Sequence, residues 1–572
     1  MANSIGVGVG GTAGAAGSAC AEGGMVNSIG VGVGGTAGAA GSACAEGGMV
    51  NSIGVGVGGT AGAAGSACAE GGMVNSIGIT YTGHPFIDVG FATLAAFANR
   101  RHLADLTTND LAEMANYIEA NYVRQPLRSF LTVAFTSNAW FAQSAFNPDR
   151  FDDPDKKIEA QQKRKYWADR HLRQWAQAAA ALETCLFTGL PAAALELSGK
   201  LQPGRVGRAQ MPLLQGDDSI NFFTNGDPGL PMAPEAILAL QAMPLGCAKV
   251  GGGLLAVHSD DEQLTIDFAK RFLERNLSDV AKAQAAGEEK LSGSPRSLKT
   301  LLIETLAEII RRQMQEEVRR ERRPTVTAYY FNNGQSPSLD IYHLPLQITG
   351  FLLAVHTPAY RAIWNELVQR SWQRLETPTK RRKVAEPTEP RFNYLYEDLF
   401  TLPAQAARFV RTYFLRIPNR STATDDPRRE YSTRREVDLV SWPLVELFVQ
   451  EVMLMTDDRV AKLKELGDKL ADYTRYQGGK RFFRQFFTVQ RSDHFLTLLN
   501  KTNIDYTRYK RGTETLFDLD SFLTLFMEGE EVLRNDWRLM RDLVLIRMVE
   551  QLRDWIANNA DAIPSEEEVV EA

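Results

Sequence analysis

A 24-residue unit, NSIGVGVGGTAGAAGSACAEGGMV, stands three times in succession without a substitution, starting at Asn3, Asn27 and Asn51. A fourth copy begins at Asn75 and leaves the pattern after Gly78, at ITYTGHPF. The unit has no Lys, no Arg and no aromatic residue. Such a segment buries too little apolar area to offset the entropy of ordering it. It also lacks the large side chains with which stacked repeats build a common core. Residues 1–74 therefore read as a low-complexity, disordered tail. Gly6, Gly8 and Gly11 fit the spacing G-x-G-x-x-G. No hydrophobic strand precedes them and no helix-forming run follows, so the spacing carries no nucleotide-binding signal. Met73 reads as the original start, and the folding problem reduces to the residues after it.

The remainder is ordinary in bulk. A chain of 572 residues, 44% hydrophobic and 23% charged, has room for two to four domains at roughly 150 residues each. No apolar run reaches the length of about 18 residues that a membrane span needs, and no basic segment leads into an apolar one as in a secretory signal. Three of the five cysteines belong to the repeats, which leaves no disulfide framework. A cytoplasmic setting is the simplest expectation.

Downstream of the repeats the pattern is mostly helical. Asp88 is placed to cap a helix through VGFATLAAFANR, and Thr107 with Asp110 has capping-box spacing. LTVAFTSNAWF could form a strand, and AQQKRKYWADRHLRQWAQAAAALETCLF reads as one long helical stretch. From about Leu201 to Asp261 Gly and Pro dominate. Asn225-Gly226 and Pro228-Gly229 are turn dipeptides, with INFF and GLLAVHS as short strands. PRSLKTLLIETLAEIIRRQMQEEVRRERR is again helical, and TVTAYYF alternates as a strand. Tyr360, Trp364, Leu367, Ser371 and Leu375 follow at helical spacing. RVAKLKELGDKLADY sets Val460, Leu463, Leu466, Leu470 and Tyr473 on one face, and EVLRNDWRLMRDLVLIRMVEQLRDWI reads as strongly amphipathic. The fold class is α+β and predominantly helical. A mixed N-terminal and central body with short strands spans 75–437, and a C-terminal helical bundle spans 438–572.

Few catalytic signatures are present. The sequence has no G-x-x-x-x-G-K-[ST] loop, no H-E-x-x-H, no paired C-x-x-C and no G-x-S-x-G elbow. Seven histidines are scattered singly. Two acidic turns, GDDS at 216–219 and HSDD at 258–261, offer the one enzymatic alternative, a metal-dependent nuclease or hydrolase. Neither brings a complete ligand set, and HSDD reads better as a turn or cap before EQLTIDFAKRFLE. The expectation is a protein that is not an enzyme and carries no cofactor.

Charge is segregated near the C-terminus. Tyr473–Arg511 holds nine Lys/Arg against two Asp/Glu, interleaved with nine aromatic residues. From Gly512 onward acids outnumber bases 15 to five. Cations between aromatic rings suit a nucleic-acid backbone with bases stacked on the rings. Phe482, Phe483, Phe486 and Phe487 are equally spaced as a core stripe, which would leave the cations merely solvated.

GDDSINFFTNGDPGLPMAPEAILALQAMPLGCAKVGGGLLAVHSDD and ITYTGHPFIDVGFATLAAFA resemble the large subunit of type I-B-like CRISPR surveillance complexes (Cascade), in the family named for its CXXC–CXXC motifs. TVTAYYFNNGQSPSLDIYHLP resembles that family's middle. The resemblance runs from Asn75 to the C-terminus. It implies a subunit at the foot of a crRNA-guided complex, near the 5′ handle, that reads the protospacer-adjacent motif in double-stranded DNA and helps to open it. Pairing with the guide then reads sequence. The implied partners are crRNA, target DNA, the backbone and handle-binding proteins and small subunits of Cascade, and either a helicase-nuclease or transposition proteins. The C-terminal bundle resembles the family's small-subunit-like part. In related systems that part is also made from an internal start, for which Met453 and Met455 are well placed. The family's C-x-x-C falls on Cys247-Ala-Lys-Val250, where Val removes the second thiolate of a zinc site.

Residue roles follow from this placement and from what groove reading demands: small polar side chains and glycines that approach base edges closely. Asn221, Asn225 and Gly226 supply such groups in one turn. Lys249 with Gly251, Gly252 and Gly253 offers a cation on a close-approach loop, and Asn332, Asn333 and Gln335 offer amides at a strand end. Arg205, Arg208, Lys480, Arg481 and Arg484 are the phosphate candidates. Each has a plain structural alternative: Asn225-Gly226 as a turn only, and the glycine run as left-handed backbone only.

Overall fold

The computed structural model describes residues 2–9, 26–33, 50–57, 77–177, 180–214, 227–316, 323–334, 336–375, 389–421, 423–528 and 532–564. Two compact units divide the chain, 1–74 and 75–572. In the first, Ala2–Val9 (β1), Val26–Val33 (β2) and Val50–Val57 (β3) form a parallel three-stranded sheet. Each residue lies opposite its equivalent in the next copy, as Val7 does with Val31 and Val31 with Val55. A tail without regular structure was the expectation. Identical segments make an in-register pairing available, and that pairing satisfies backbone groups without needing a side-chain core.

The second unit begins with a helix at Pro85–Phe97 (α1). It starts earlier than the Asp88 cap predicts, because the fixed φ of Pro85 suits the first helical position. Asp88 is instead buried in the first turn. It accepts from the amides of Thr82 and Gly83, each at 2.8 Å, and from the Thr82 hydroxyl at 2.7 Å. The next helix, Thr108–Asn121 (α2), carries the expected Thr107–Asp110 capping box. No strand forms over 131–141, which is a series of turns after a short helix at Leu127–Leu131. Ala134, Phe135, Ala139, Trp140 and Phe141 are all buried, so no alternation is left for a strand face. The long helix of the sequence stops at Leu172 (Pro154–Leu172, α3). Gln174 donates to the Arg170 carbonyl at 2.7 Å and Trp175 to the Leu172 carbonyl at 2.7 Å. These side chains satisfy the orphan carbonyls of a helix end, which hydropathy spacing does not register.

Two small antiparallel pairs follow, Ala180–Thr184 (β4) with Pro191–Ala193 (β5), and Arg205–Val206 (β6) with Leu230–Pro231 (β7). After Pro234–Ala242 (α4) come Ala248–Val250 (β8), Gly253–His258 (β9), Glu262–Ala286 (α5), Leu298–Gln315 (α6), Val326–Asn332 (β10) and Ser338–Leu344 (β11). The four strands form one antiparallel sheet in the order β11-β10-β9-β8. Leu254, Ala256 and Phe331 face a core shared with α1 and α4. Leu255, Val257, Val326, Ala328 and Leu344 face a second core with Phe268 and Phe272 of α5 and the apolar side of α6. Burial on both faces explains why GLLAV is continuously apolar rather than alternating.

The second core extends without a break past residue 437 to Ile563. Leu346–Val355 (α7) and Arg361–Gln369 (α8) pack toward the later helices, and Phe351 and Phe409 both contact the ring of Phe448, at 5.4 and 5.3 Å. Ser371 and Leu375 lie beyond the end of α8. Trp442–Glu451 (α9), Asp457–Tyr473 (α10), Gly479–Thr488 (α11), Ser492–Tyr509 (α12) and Trp537–Gln551 (α13) are the longer helices of the bundle, with short helices at Leu519–Phe526 and Arg553–Asn558. The helix α13 was expected to be amphipathic. It is a central helix, buried nearly all round, with Arg541 and Asp542 inside and paired with each other at 2.6 Å. The fold is α+β and predominantly helical. Among the described residues no helix is long and apolar enough to cross a membrane.

Candidate nucleic-acid interface

The β8–β9 turn shows what each glycine of the run does. Gly251 has φ +55°, the left-handed region that side chains resist. A Cβ on Gly253 would lie 2.5 Å from the ring of Tyr330. That ring packs on the turn while its hydroxyl donates to the Val250 carbonyl at 3.0 Å. Gly252 answers to neither constraint. It is exposed, and a Cβ there would meet nothing within 4 Å. Its carbonyl accepts from Nδ2 of Asn332 at 3.1 Å, and Asn332 Oδ1 accepts from the Gly334 amide at 2.8 Å. The tips of the β8–β9 and β10–β11 hairpins are thereby tied at one end of the sheet.

Asn333, next in sequence, has a different role. It is fully buried. Its backbone amide donates to the Val133 carbonyl and its Nδ2 to the Ala134 carbonyl, both at 2.9 Å. Its Oδ1 accepts from Arg208 Nε and from the Leu213 amide, both at 3.2 Å. An amide so occupied is a clamp between three chain segments and has no edge left for a base. Arg208 also donates to the Gly334 carbonyl at 2.6 Å, so the segment 207–214 is held against the hairpin tips. The next residues of that segment, 215–226, contain Asn221, Asn225 and Gly226, which with Gln335 lie outside the described residues.

Arg205 is 4% exposed. Its guanidinium pairs with Glu183 through Nε at 3.0 Å and NH2 at 2.5 Å, and donates to the carbonyls of Asp227 and Gly229 at 3.1 Å. These bonds fasten β6 to the chain entering β7 and leave no guanidinium face toward solvent for a phosphate. Lys249 lies in β8 and not at the loop tip, which is Gly251–Gly252. Its Nζ donates to the Leu291 carbonyl at 2.6 Å, and burial, with Lys290 nearby, pushes its pKa down.

The lone Cys247 is buried in the first core. Its thiol donates to the Met243 carbonyl at 3.2 Å, and burial pushes its pKa up. Nδ2 of Asn276 donates to the carbonyls of Leu245 and Cys247, at 2.8 and 2.7 Å. The knuckle is therefore held by an amide from α5. In the HSDD turn, Asp260 accepts from the Thr325 amide at 2.7 Å and hydroxyl at 2.9 Å, while Asp261 caps α5 through the Leu264 amide at 2.9 Å. His258 meets the buried Asp88 at 3.0 Å and stacks on Tyr81 with ring centroids 5.3 Å apart. That cluster joins residues 170 positions apart, and local spacing carries no signal for it. Among the described residues no three His, Cys, Asp or Glu side chains are grouped to hold a metal ion. The GDDS turn lies outside the described residues.

In α11 the Phe482, Phe483, Phe486 and Phe487 rings are all buried, while Arg481 and Arg484 are exposed. Lys480 is paired with Asp561 at 2.7 Å. The rings of α11 are core and its cations form the outer face, so this helix offers charge without a stacking platform, while Tyr476 and Tyr509 of the same basic stretch are exposed. The helix packs on the preceding π-turn Thr474–Gly478 and the turn Ala560–Ala562, and its rings meet Tyr473, Phe495 and Trp555. No protein-family model, curated protein or solved structure matches this chain.

Proposed function

We propose that the chain is the non-catalytic large subunit of a crRNA-guided Cascade complex that reads a protospacer-adjacent motif in double-stranded DNA, contacts the crRNA near its 5′ handle and supports R-loop formation and effector recruitment. It works in the cytoplasm with the backbone and handle-binding proteins, small subunits, and a helicase-nuclease or transposition proteins. The observation that carries this reading is the Asn332–Gly252 bond. It joins two candidate loops drawn from stretches 80 residues apart, and it presents at their tip the one glycine of the run that folding does not require. A bare, exposed backbone beside an amide suits close approach to a groove. The outer face of α11, with Arg481, supplies phosphate contact without sequence preference.

The test uses the subunit assembled with crRNA and its partner proteins. Binding to duplexes with and without the motif is measured over a salt series. Motif-dependent binding that falls steeply with salt is the expected result. Gly252→Glu should abolish the preference for motif, whereas Arg481→Gln should weaken all DNA alike. If Asn221, Asn225, Lys249 and Asn332 all become Ala with motif dependence unchanged, the reading loops are misplaced. Turnover of DNA by the isolated chain with a divalent metal would favour the nuclease alternative.

A further inference from the structure

On the other side of Gly251 the surface opens into a cleft of about 590 Å³, within the ~300–1,000 Å³ range of ligand sites. Its walls come from the β8–β9 turn, the start of α6, Tyr330 and Tyr342 on the sheet, and the chain at Arg391. Arg296, Lys299 and Arg391 line it against one carboxylate, Glu397. Glu397 is already engaged. Its Oε1 accepts from the Thr300 amide at 3.2 Å, the Thr300 hydroxyl at 2.7 Å and the Ser297 hydroxyl, closing the N-terminus of α6. Arg296 is engaged too, with Glu304 at 3.2 Å and Glu389 at 3.4 Å.

Lys299 and Arg391 differ from these. Neither has a carboxylate partner among the described residues. Each lies instead by an aromatic ring, Lys299 5.5 Å from Phe400 and Arg391 5.0 Å from Phe392. With Arg296 paired, Lys299 and Arg391 stand against the single Glu397 carboxylate, so the lining is net positive and favours an anion. The hydroxyl of Tyr330 is used on Val250, whereas that of Tyr342 has no hydrogen-bond partner among the described residues.

We propose that this cleft binds a phosphate-bearing nucleotide, with Lys299 and Arg391 on the phosphate oxygens and Tyr342 on the nucleoside side. The nucleotide is either free or one unit of a single strand, since the phosphate chemistry is shared. The site stands on the cleft alone and does not depend on the guide-RNA reading.

The experiment takes the full chain by itself. A fluorescein-labelled single-stranded oligothymidylate is titrated by anisotropy over a salt series, with adenosine monophosphate as unlabelled competitor. The wild type should bind the strand. The Lys299→Gln/Arg391→Gln double variant should lose about tenfold or more in affinity, and its salt slope should fall by about 1.4, the value for two single-strand phosphates. Lys299→Arg and Arg391→Lys, which keep the charges, should retain binding even if the neutral variant melts early. Competition by the monophosphate identifies a free-nucleotide site, and its failure to compete identifies a strand site. The proposal is overturned if the wild type binds neither probe. It is also overturned if the double variant matches the wild type in affinity and slope. Loss of strand binding in Arg481→Gln alone would leave the proposed function standing and remove this site.

Discussion

Nδ2 of Asn332 donates to the carbonyl of Gly252 at 3.1 Å, and this bond holds together the tips of two hairpins that are consecutive in the sheet and separated in sequence by two helices. The same side chain accepts from the Gly334 amide at 2.8 Å. Asn332→Ala removes both bonds from a half-buried turn. It should cost about 1–3 kcal/mol at about 0.5–1.5 kcal/mol per bond. Gly252→Ala meets open space and should leave stability within about 0.5 kcal/mol. Urea unfolding of the two variants measures the difference. Equal losses would mean that Gly252 is a folding residue after all.

Gly253 makes the opposite case. Its Cβ would fall 2.5 Å from two ring carbons of Tyr330, so Gly253→Ala should cost roughly 1–3 kcal/mol as overpacking. In a Tyr330→Ala background the same change should be close to neutral. A double-mutant cycle reads the coupling directly. Additive effects would show that backbone conformation, and not the ring, demands the glycine.

These glycines illustrate where sequence reading stops. Three in a row signal a tight or closely approached loop, but which of them is structural depends on a tyrosine about 80 residues away. The Thr107–Asp110 capping box was legible because both partners lie within one turn. β9 and β10 were legible as short apolar or alternating runs. The end of α3 was not, since apolar spacing continues through Gln174 and Trp175, and only their reach back to Arg170 and Leu172 ends the helix. The Phe482–Phe487 stripe could be read as core or as a stacking platform. Packing against Tyr473, Phe495 and Trp555 resolves it as core. Asn333 shared a motif with Asn332 and proved to be a clamp because Val133, Ala134, Arg208 and Leu213 converge on it.

Arg205 should behave as a folding residue. It is buried against Glu183 and the carbonyls of Asp227, Pro228 and Gly229, and Arg205→Gln leaves that carboxylate and those carbonyls short of donors. Removing one partner of a buried pair typically costs about 3–5 kcal/mol. Since Glu183 is itself about a third exposed, the lower end of that range applies. Thermal melting should show the loss, while DNA affinity of the surviving folded fraction stays at the wild-type value. A variant of normal stability with weakened DNA binding would restore Arg205 as a phosphate contact.

His171 should make the fold acid-sensitive. Burial pushes its pKa down to about 4, partly opposed by the Trp167 carbonyl and assisted by Arg170. One neutral tautomer satisfies the ring: Nδ1–H donates to the Trp167 carbonyl at 2.8 Å, and Nε2 accepts from the Gln210 amide at 3.3 Å. Protonation would set a second N–H against the amide donor. Because the folded pKa lies below the unfolded value of about 6.5, the unfolded chain takes up the proton first. The contribution is intact above pH 6.5, declines as pH falls toward 4, and is fully lost below that, for a total of about 3 kcal/mol. Burial also pushes His84 and His356 down, so the wild type has further groups with the same sign. His171→Gln isolates one of them. Urea midpoints of wild type and variant at pH 7.5 and 5.0 should converge as pH falls, with the wild type losing about 2 kcal/mol more. Parallel pH dependence in the two proteins would mean that His171 is already protonated, or not buried, in the folded chain.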